Sequence, residues 1–157
     1  MVPVYGGKAL VYRLGILRAY IISNQGVPIN SRWFATKMSK YLKEFPDVDI
    51  DTGIFKYMLL KLVDKSANDS KTIVRGYISA AWHDDIYEMT NVETKKYPNV
   101  EVESLGGGRI KHDAQKKTIL VYGYSQGYGL AEHSDTADLL KKNYPDYDVT
   151  WSNDRYY

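Results

Sequence analysis

Apolar and polar positions change their period several times along this chain, and each change marks an element. The run "IFKYMLLKLV" (54–63) is built of β-formers, with Lys56 and Lys61 as interruptions, and predicts a strand. "DKSANDSK" (64–71) is a polar turn, and "TIVRGYIS" (72–79) predicts a second strand antiparallel to the first. "HDDIYEMTNVETKKYP" predicts a helix over about 84–96. Asp84, Asp85 and Glu88 lie in its first turns and Lys95 and Lys96 in its last, matching the helix dipole, and Pro98 ends it. "NVEVESL" (99–105) alternates as a strand and runs into a glycine run. "KKTILVYGY" (116–124) predicts another strand and "SQGYGLAEH" a glycine-rich loop. "SDTADLLKKNYP" predicts a helix capped by Ser134 and closed before Pro145, and "YDVTW" (147–151) a last strand.

The order is therefore β-β-α-β-β-α-β, with room for one extra short strand. Two helices on a mixed, twisted sheet of five to six strands in roughly 110 residues predict one small α+β domain. No repeat of solenoid period is present. No apolar run approaches the roughly 20 residues of a membrane span, so no membrane partner is expected.

Charge divides the chain. Residues 1–43 carry seven Lys/Arg and no acid; residues 44–157 carry 14 Lys/Arg and 19 Asp/Glu, a net of −5. The predicted division is a basic extension over 1–45 and a domain over 46–157. The extension has the composition of a mitochondrial transit peptide, with "SRWFAT" suited to a cleavage site. It equally reads as a disordered leader, or as sequence ahead of a working start at Met38. The expected location is cytoplasmic, with mitochondria as the alternative. A net-negative domain argues against a surface that tracks nucleic acid.

The absence of cysteine excludes disulfide scaffolds, thiolate zinc sites and cysteine nucleophiles. His83, His112 and His133 show no i,i+4 pairing, so no metal or other cofactor is expected. "DVDIDTG" (47–53) alternates acids like a calcium loop, but Thr52 and Met58 occupy the places where an EF-hand needs Gly and Glu. "GYSQG" (123–127) fits the nucleophile elbow G-x-S-x-G, yet after Ser125 only His133 follows, with Glu132 adjacent to it. That order cannot build a Ser-acid-His triad.

What remains points to an anion. "LGGGRIKH" (105–112) places three glycines before Arg109, and a glycine run lets backbone N–H groups turn toward bound oxygens. The second glycine loop adds Ser125. Lys56 interrupts an apolar strand, and Arg75 in "IVRGY" poses the same question. His83 opens a helix, where the dipole disfavours imidazolium and leaves a neutral ring able to act as base or nucleophile. Two glycine loops, cations and a neutral imidazole suit a phosphoryl group, whose transition state spreads negative charge over three oxygens. No Walker or kinase signature is present.

"FKYMLLKL", "IVRGY", "WHDDIYE", "LGGGRIKH", "VYGYSQGYGLAEH" and "KNYPDYDVTWSND" together resemble the Janus/Ocnus family of small phosphohistidine phosphatases. The resemblance spans about Pro46 to Tyr156. It implies metal-free hydrolysis of the P–N bond of phosphohistidine in proteins, releasing inorganic phosphate, by what is expected to be a monomer. It implies His83 as the catalytic residue and Lys56, Arg109, Arg75, Ser125, Gln126 and Gly127 as substrate-binding residues. Gln126 and Gly127 depart from the vertebrate pattern and resemble the insect Janus-A type. A phosphopeptide-binding module on the same fold is the alternative.

Overall fold

The computed structural model describes residues 39–154 and the backbone of residues 21–22 and 28–29. The chain divides into two units, residues 1–36 and 37–157. In the first, β1 (Ile21–Ile22) and β2 (Pro28–Ile29) pair antiparallel. The expectations of a transit peptide or a disordered leader fall otherwise on residues outside those described.

In the second unit, β3 (Val48–Ile50) is the extra short strand and β4 (Gly53–Asp64) the long central one. β5 (Asp69–Tyr77), α1 (His83–Thr94) and β6 (Val100–Asp113) follow, then β7 (Thr118–Tyr122), α2 (His133–Asn143) and β8 (Asp148–Trp151). One sheet forms in the order β3-β5-β4-β6-β7-β8. Its inner pairs are antiparallel, while β3 on β5 and β8 on β7 are parallel. The expected α+β class with a mixed sheet and two helices is the observed one.

Both faces of β4 are covered, which is why "YMLL" reads as an unbroken apolar run rather than an alternation. Met58, Leu60 and Leu62 pack with Ile73, Val102 and Ile86 of α1. Phe55, Tyr57 and Leu59 pack on the opposite face with Ile119, Val121 and with Ala137 and Leu140 of α2. Leu42 and Phe45 are buried in the α1-side core, and Ser39 Oγ donates to Asp64 Oδ2 at 2.5 Å. The packed unit thus takes in residues ahead of position 46.

Three local expectations differ from the structure. β5 begins at Asp69, because the pairing of β4 with β5 runs to the Asp64–Asp69 rung and leaves only residues 65–68 to turn. α2 begins at His133 with Glu132 as its N-cap, and the Ser134 hydroxyl donates to the Glu132 side chain. The third difference matters most for function. The glycine run is not a loop: Gly106, Gly107 and Gly108 lie inside the 14-residue strand β6.

The run does contain an irregularity. Met58 pairs with Gly107 and Leu60 with Ser104, so Leu105 and Gly106 together face Leu59 alone. This is a β-bulge, and Gly106 takes φ +106°, a conformation that favours glycine. Beyond the bulge, the free edge of β6 accepts the second glycine loop. Gly107 N–H donates to Gly129 O at 3.1 Å, and Ala131 N–H donates to Gly107 O.

Candidate active site

Four segments converge on a cleft of about 560 Å³. β4 and β6 contribute Lys56 and Arg109, which are direct partners in the strand register. The start of α1 contributes Trp82, His83 and Asp84, and the loop after β7 contributes Tyr124, Ser125, Gln126, Gly127 and Tyr128. Six of the seven residues expected from sequence therefore line one cavity.

Arg75 is the correction. It is 1% exposed, lies on β5 away from the cleft lining, and its Nη1 donates to the carbonyls of Pro46 and Val74. Its side chain ties β5 to the segment ahead of β3. A mid-strand arginine can face a site or a core, and the packing of this second unit turns it to the core.

His83 is held by one hydrogen bond. Its Nε2 lies 2.9 Å from Gly108 O. A carbonyl only accepts, so Nε2 carries the proton and the neutral ring keeps its lone pair on Nδ1. The Cδ2 edge of the same ring lies against Gly107, where an added Cβ would sit 2.8 Å from it. Both Nε2 and Cδ2 thus face β6, which places Nδ1 on the ring's opposite edge. Burial holds the His83 pKa below the ordinary imidazole value, the positive fields of Lys56 and Arg109 add to that, and the Gly108 carbonyl opposes it. The ring is neutral at pH 7.

This geometry revises the role of the first glycine run. Its N–H groups do not face an anion. Gly106 N–H donates to Ser104 Oγ, Gly107 N–H to Gly129 O, and Gly108 sits opposite Tyr57 in the strand ladder. What the run supplies is room. An added Cβ at Gly108 would lie 2.6 Å from Tyr122 O and 2.9 Å from the Tyr57 ring.

The second glycine loop keeps the properties expected of an anion site. Ser125 and Gly129 exchange backbone hydrogen bonds, and Tyr128 N–H donates to Ser125 Oγ at 3.2 Å. The N–H groups of Gln126 and Gly127 have no partner among the described residues. Gly127 faces open space, with no atom within 4 Å of where its Cβ would be. Neither Lys56 nor Arg109 belongs to an ion pair among the described residues. Two uncompensated cations and two free amide donors therefore surround the His83 ring. Among the described residues no group of three or more His, Asp or Glu is placed to hold a metal ion.

Several cleft residues were not selected from sequence. The Tyr128 hydroxyl donates to the Asp84 carboxylate, a bond that pushes the tyrosine pKa up to about 12 and ties the loop to the start of α1. Tyr124 and Trp82 are exposed aromatics on the cleft wall. Nothing in a single sequence separates these tyrosines from the other members of a set of fifteen.

A second histidine supports the loop from below. His133 is fully buried; its Nε2 lies 2.9 Å from Gly123 O and its Nδ1 2.7 Å from Tyr57 Oη. Nε2 donates to the carbonyl, so Nδ1 accepts from the tyrosine. Removing that donor leaves a buried acceptor unpaired. Tyr57→Phe is therefore expected to lower stability by about 1–3 kcal/mol in urea unfolding. A wild-type midpoint in that variant would show that the hydrogen bond contributes nothing.

The Janus/Ocnus family profile matches residues 42–148 of this chain. The chain is 50% identical over 121 residues to the 14 kDa phosphohistidine phosphatase of Sus scrofa, covering 73% of this chain and 95% of that protein. It is 48% identical over 117 residues to the Homo sapiens protein of the same name, covering 71% and 93%. It is 44% identical over 120 residues to the sex-regulated protein janus-A of Drosophila pseudoobscura pseudoobscura, covering 73% and 80%. With the profile spanning β3 to β7, both helices and every residue of the cleft, the chain belongs to the Janus/Ocnus family.

Proposed function

We propose that this chain is a protein phosphohistidine phosphatase that works through His83 without a metal. One observation carries the reading: a neutral imidazole whose Nδ1 is left free by the Nε2–Gly108 hydrogen bond, set among Lys56, Arg109 and the unpaired amides of the 125–127 loop. A module that only held a phosphopeptide would have no use for that lone pair. The names of the porcine and human relatives support the same reading.

In this mechanism the phosphoryl oxygens take hydrogen bonds from the Gln126 and Gly127 amides and charge from Lys56 and Arg109. These groups are in place before the reaction, so they stabilise developing charge without reorganisation. Nδ1 of His83 either accepts the proton of an attacking water or attacks phosphorus itself. The P–N bond breaks with its electron pair passing to the substrate's ring nitrogen; where His83 has attacked, water then cleaves the new Nδ1–P bond, and on either route histidine and inorganic phosphate are the products. Phosphate trapped on His83 in acid-quenched single turnovers marks direct attack; its absence marks the water route.

The test is phosphate release from a phosphohistidine peptide in the presence of a chelator. Release that stops when the chelator is added would overturn the metal-free reading. Binding of the peptide with no release at all would identify a reader module instead.

The depressed pKa of His83 gives the pH profile a sign. The reactive form is the neutral one, so activity holds at pH 7 and falls as pH drops through a value below the ordinary 6.5. Lys56 contributes to that depression. In Lys56→Met the acid limb is expected to move to higher pH while KM for the peptide rises. An acid limb left in place would remove Lys56 from the electrostatics of His83.

A further inference from the structure

We propose that Trp82 is the platform on which the substrate's imidazole ring rests, so that this residue favours phosphohistidine over P–N substrates that lack an aromatic ring. The inference rests on the phosphatase reading above and extends it from the phosphoryl group to the leaving group.

Three observations set Trp82 apart. It is 70% exposed, the most exposed of the large apolar side chains in the described residues, and it borders the cleft. It occupies the N-cap of α1, where Ser, Thr, Asp or Asn is preferred for a side-chain oxygen that the indole lacks. The cap is supplied instead by Asp85, whose carboxylate accepts from Trp82 N–H at 2.7 Å. Nothing about folding the helix therefore calls for tryptophan here. It also lines the same cleft as His83, the residue that follows it. Tyr124, 44% exposed, adds a second aromatic from the loop side.

The chemistry of the leaving group matches an indole. Phosphoimidazole reacts most readily when its unsubstituted nitrogen is protonated, because neutral imidazole then departs with the P–N electron pair. The reactive substrate ring is thus a flat cation, and the indole face attracts flat cations. Lys56 Nζ lies 6.0 Å from the Trp82 ring centroid, at the outer limit of that attraction, and leaves the ring available. A phosphoryl group on a simple amine offers no ring to stack.

The experiment compares kcat/KM for a phosphohistidine peptide and for phosphoramidate in wild type, Trp82→Ala and Trp82→Phe. Trp82→Ala is expected to lose at least about fivefold more on the phosphohistidine peptide than on phosphoramidate, a difference of about 1 kcal/mol. Its alkaline limb on the peptide should move to lower pH, because less of the bound ring stays protonated. Trp82→Phe should recover most of the loss. Val92→Ala, an exposed apolar residue of α1 outside the cleft lining, serves as the control for surface effects. Equal losses on both substrates with an unmoved alkaline limb would overturn the proposal. If wild type releases phosphate from neither substrate, the phosphatase reading falls. Trp82 is then decided by calorimetry with the phosphohistidine peptide itself, which the protein in that case leaves intact. Weaker binding of that peptide by Trp82→Ala, with inorganic phosphate bound as before, supports the platform; unchanged binding overturns it.

Discussion

The His83→Ala protein is expected to fold and to release phosphate from a phosphohistidine peptide roughly 10²–10⁴-fold more slowly than wild type. The fold should survive because the ring is half-buried and makes a single hydrogen bond, to Gly108 O. Losing one such bond lowers stability by about 1 kcal/mol. The chemistry should not survive, because no other imidazole can replace it. His112 donates from Nδ1 to Asp51 O and packs between Tyr144 and Tyr147, outside the cleft lining. His133 has both nitrogens engaged in the core. The measurement is steady-state release with chelator present, alongside a urea midpoint for each protein. Full activity in the variant would remove His83 from the mechanism and require one of these buried rings to be exposed by substrate.

Alanine at the glycines of β6 is the second large effect, and the two positions should fail differently. At Gly108 the new Cβ meets Tyr122 O at 2.6 Å, and also the rings of Tyr57 and His133. Backbone held in the sheet ladder cannot yield, so Gly108→Ala is expected to lower stability by about 3 kcal/mol or more, at the high end for overpacking. Against a total of about 5–15 kcal/mol this is a major fraction. At Gly107 the Cβ meets His83 Cδ2 and Tyr57 O, each at 2.8 Å, and Met58 Sδ at 3.0 Å. Here the movable neighbour is the imidazole itself. Gly107→Ala should therefore lose activity by roughly 10²-fold, the order expected for a displacement near 1 Å, beyond what its stability explains. Gly127→Ala is the contrast: its Cβ points into open space, and stability should stay within about 0.5 kcal/mol. Urea unfolding and turnover on the same three proteins test the pattern. Equal behaviour at 107 and 127 would show that the glycine run does not seat His83.

That result bears on how the site could be read from sequence. Lys56, His83, Arg109 and the 125–127 loop were legible because each is odd where it stands: a cation in a β-run, a histidine opening a helix, glycines around a serine. Arg75 was equally odd, a cation between Val74 and Gly76 in an apolar strand, yet it is buried behind the segment that leads into β3. Local oddness reports that a residue has a special environment. It does not report which one. Trp82 and Tyr128 carried no such mark, since an aromatic residue in a tyrosine-rich chain reads as core until its exposure is seen.

The sequence by itself determined the class of fold, the order of its elements and the place of His83 at the start of a helix, whereas burial among distant residues holds its pKa down. These depend on interactions within a few residues: the run of β-formers along β4, the polar turn after it, the charges at the two ends of α1. Only the tertiary structure decided what the glycines of β6 do. Three glycines in a row permit a loop or a strand equally well, and the choice was made by β4 on one edge and by Gly129 and Ala131 on the other. Once the run is a strand, its missing side chains become the space that holds one imidazole against Gly107 and keeps its Nδ1 free. Which nitrogen of His83 is available is thus set by a carbonyl 25 residues away, a relation that arises from packing and has no local signal in the chain.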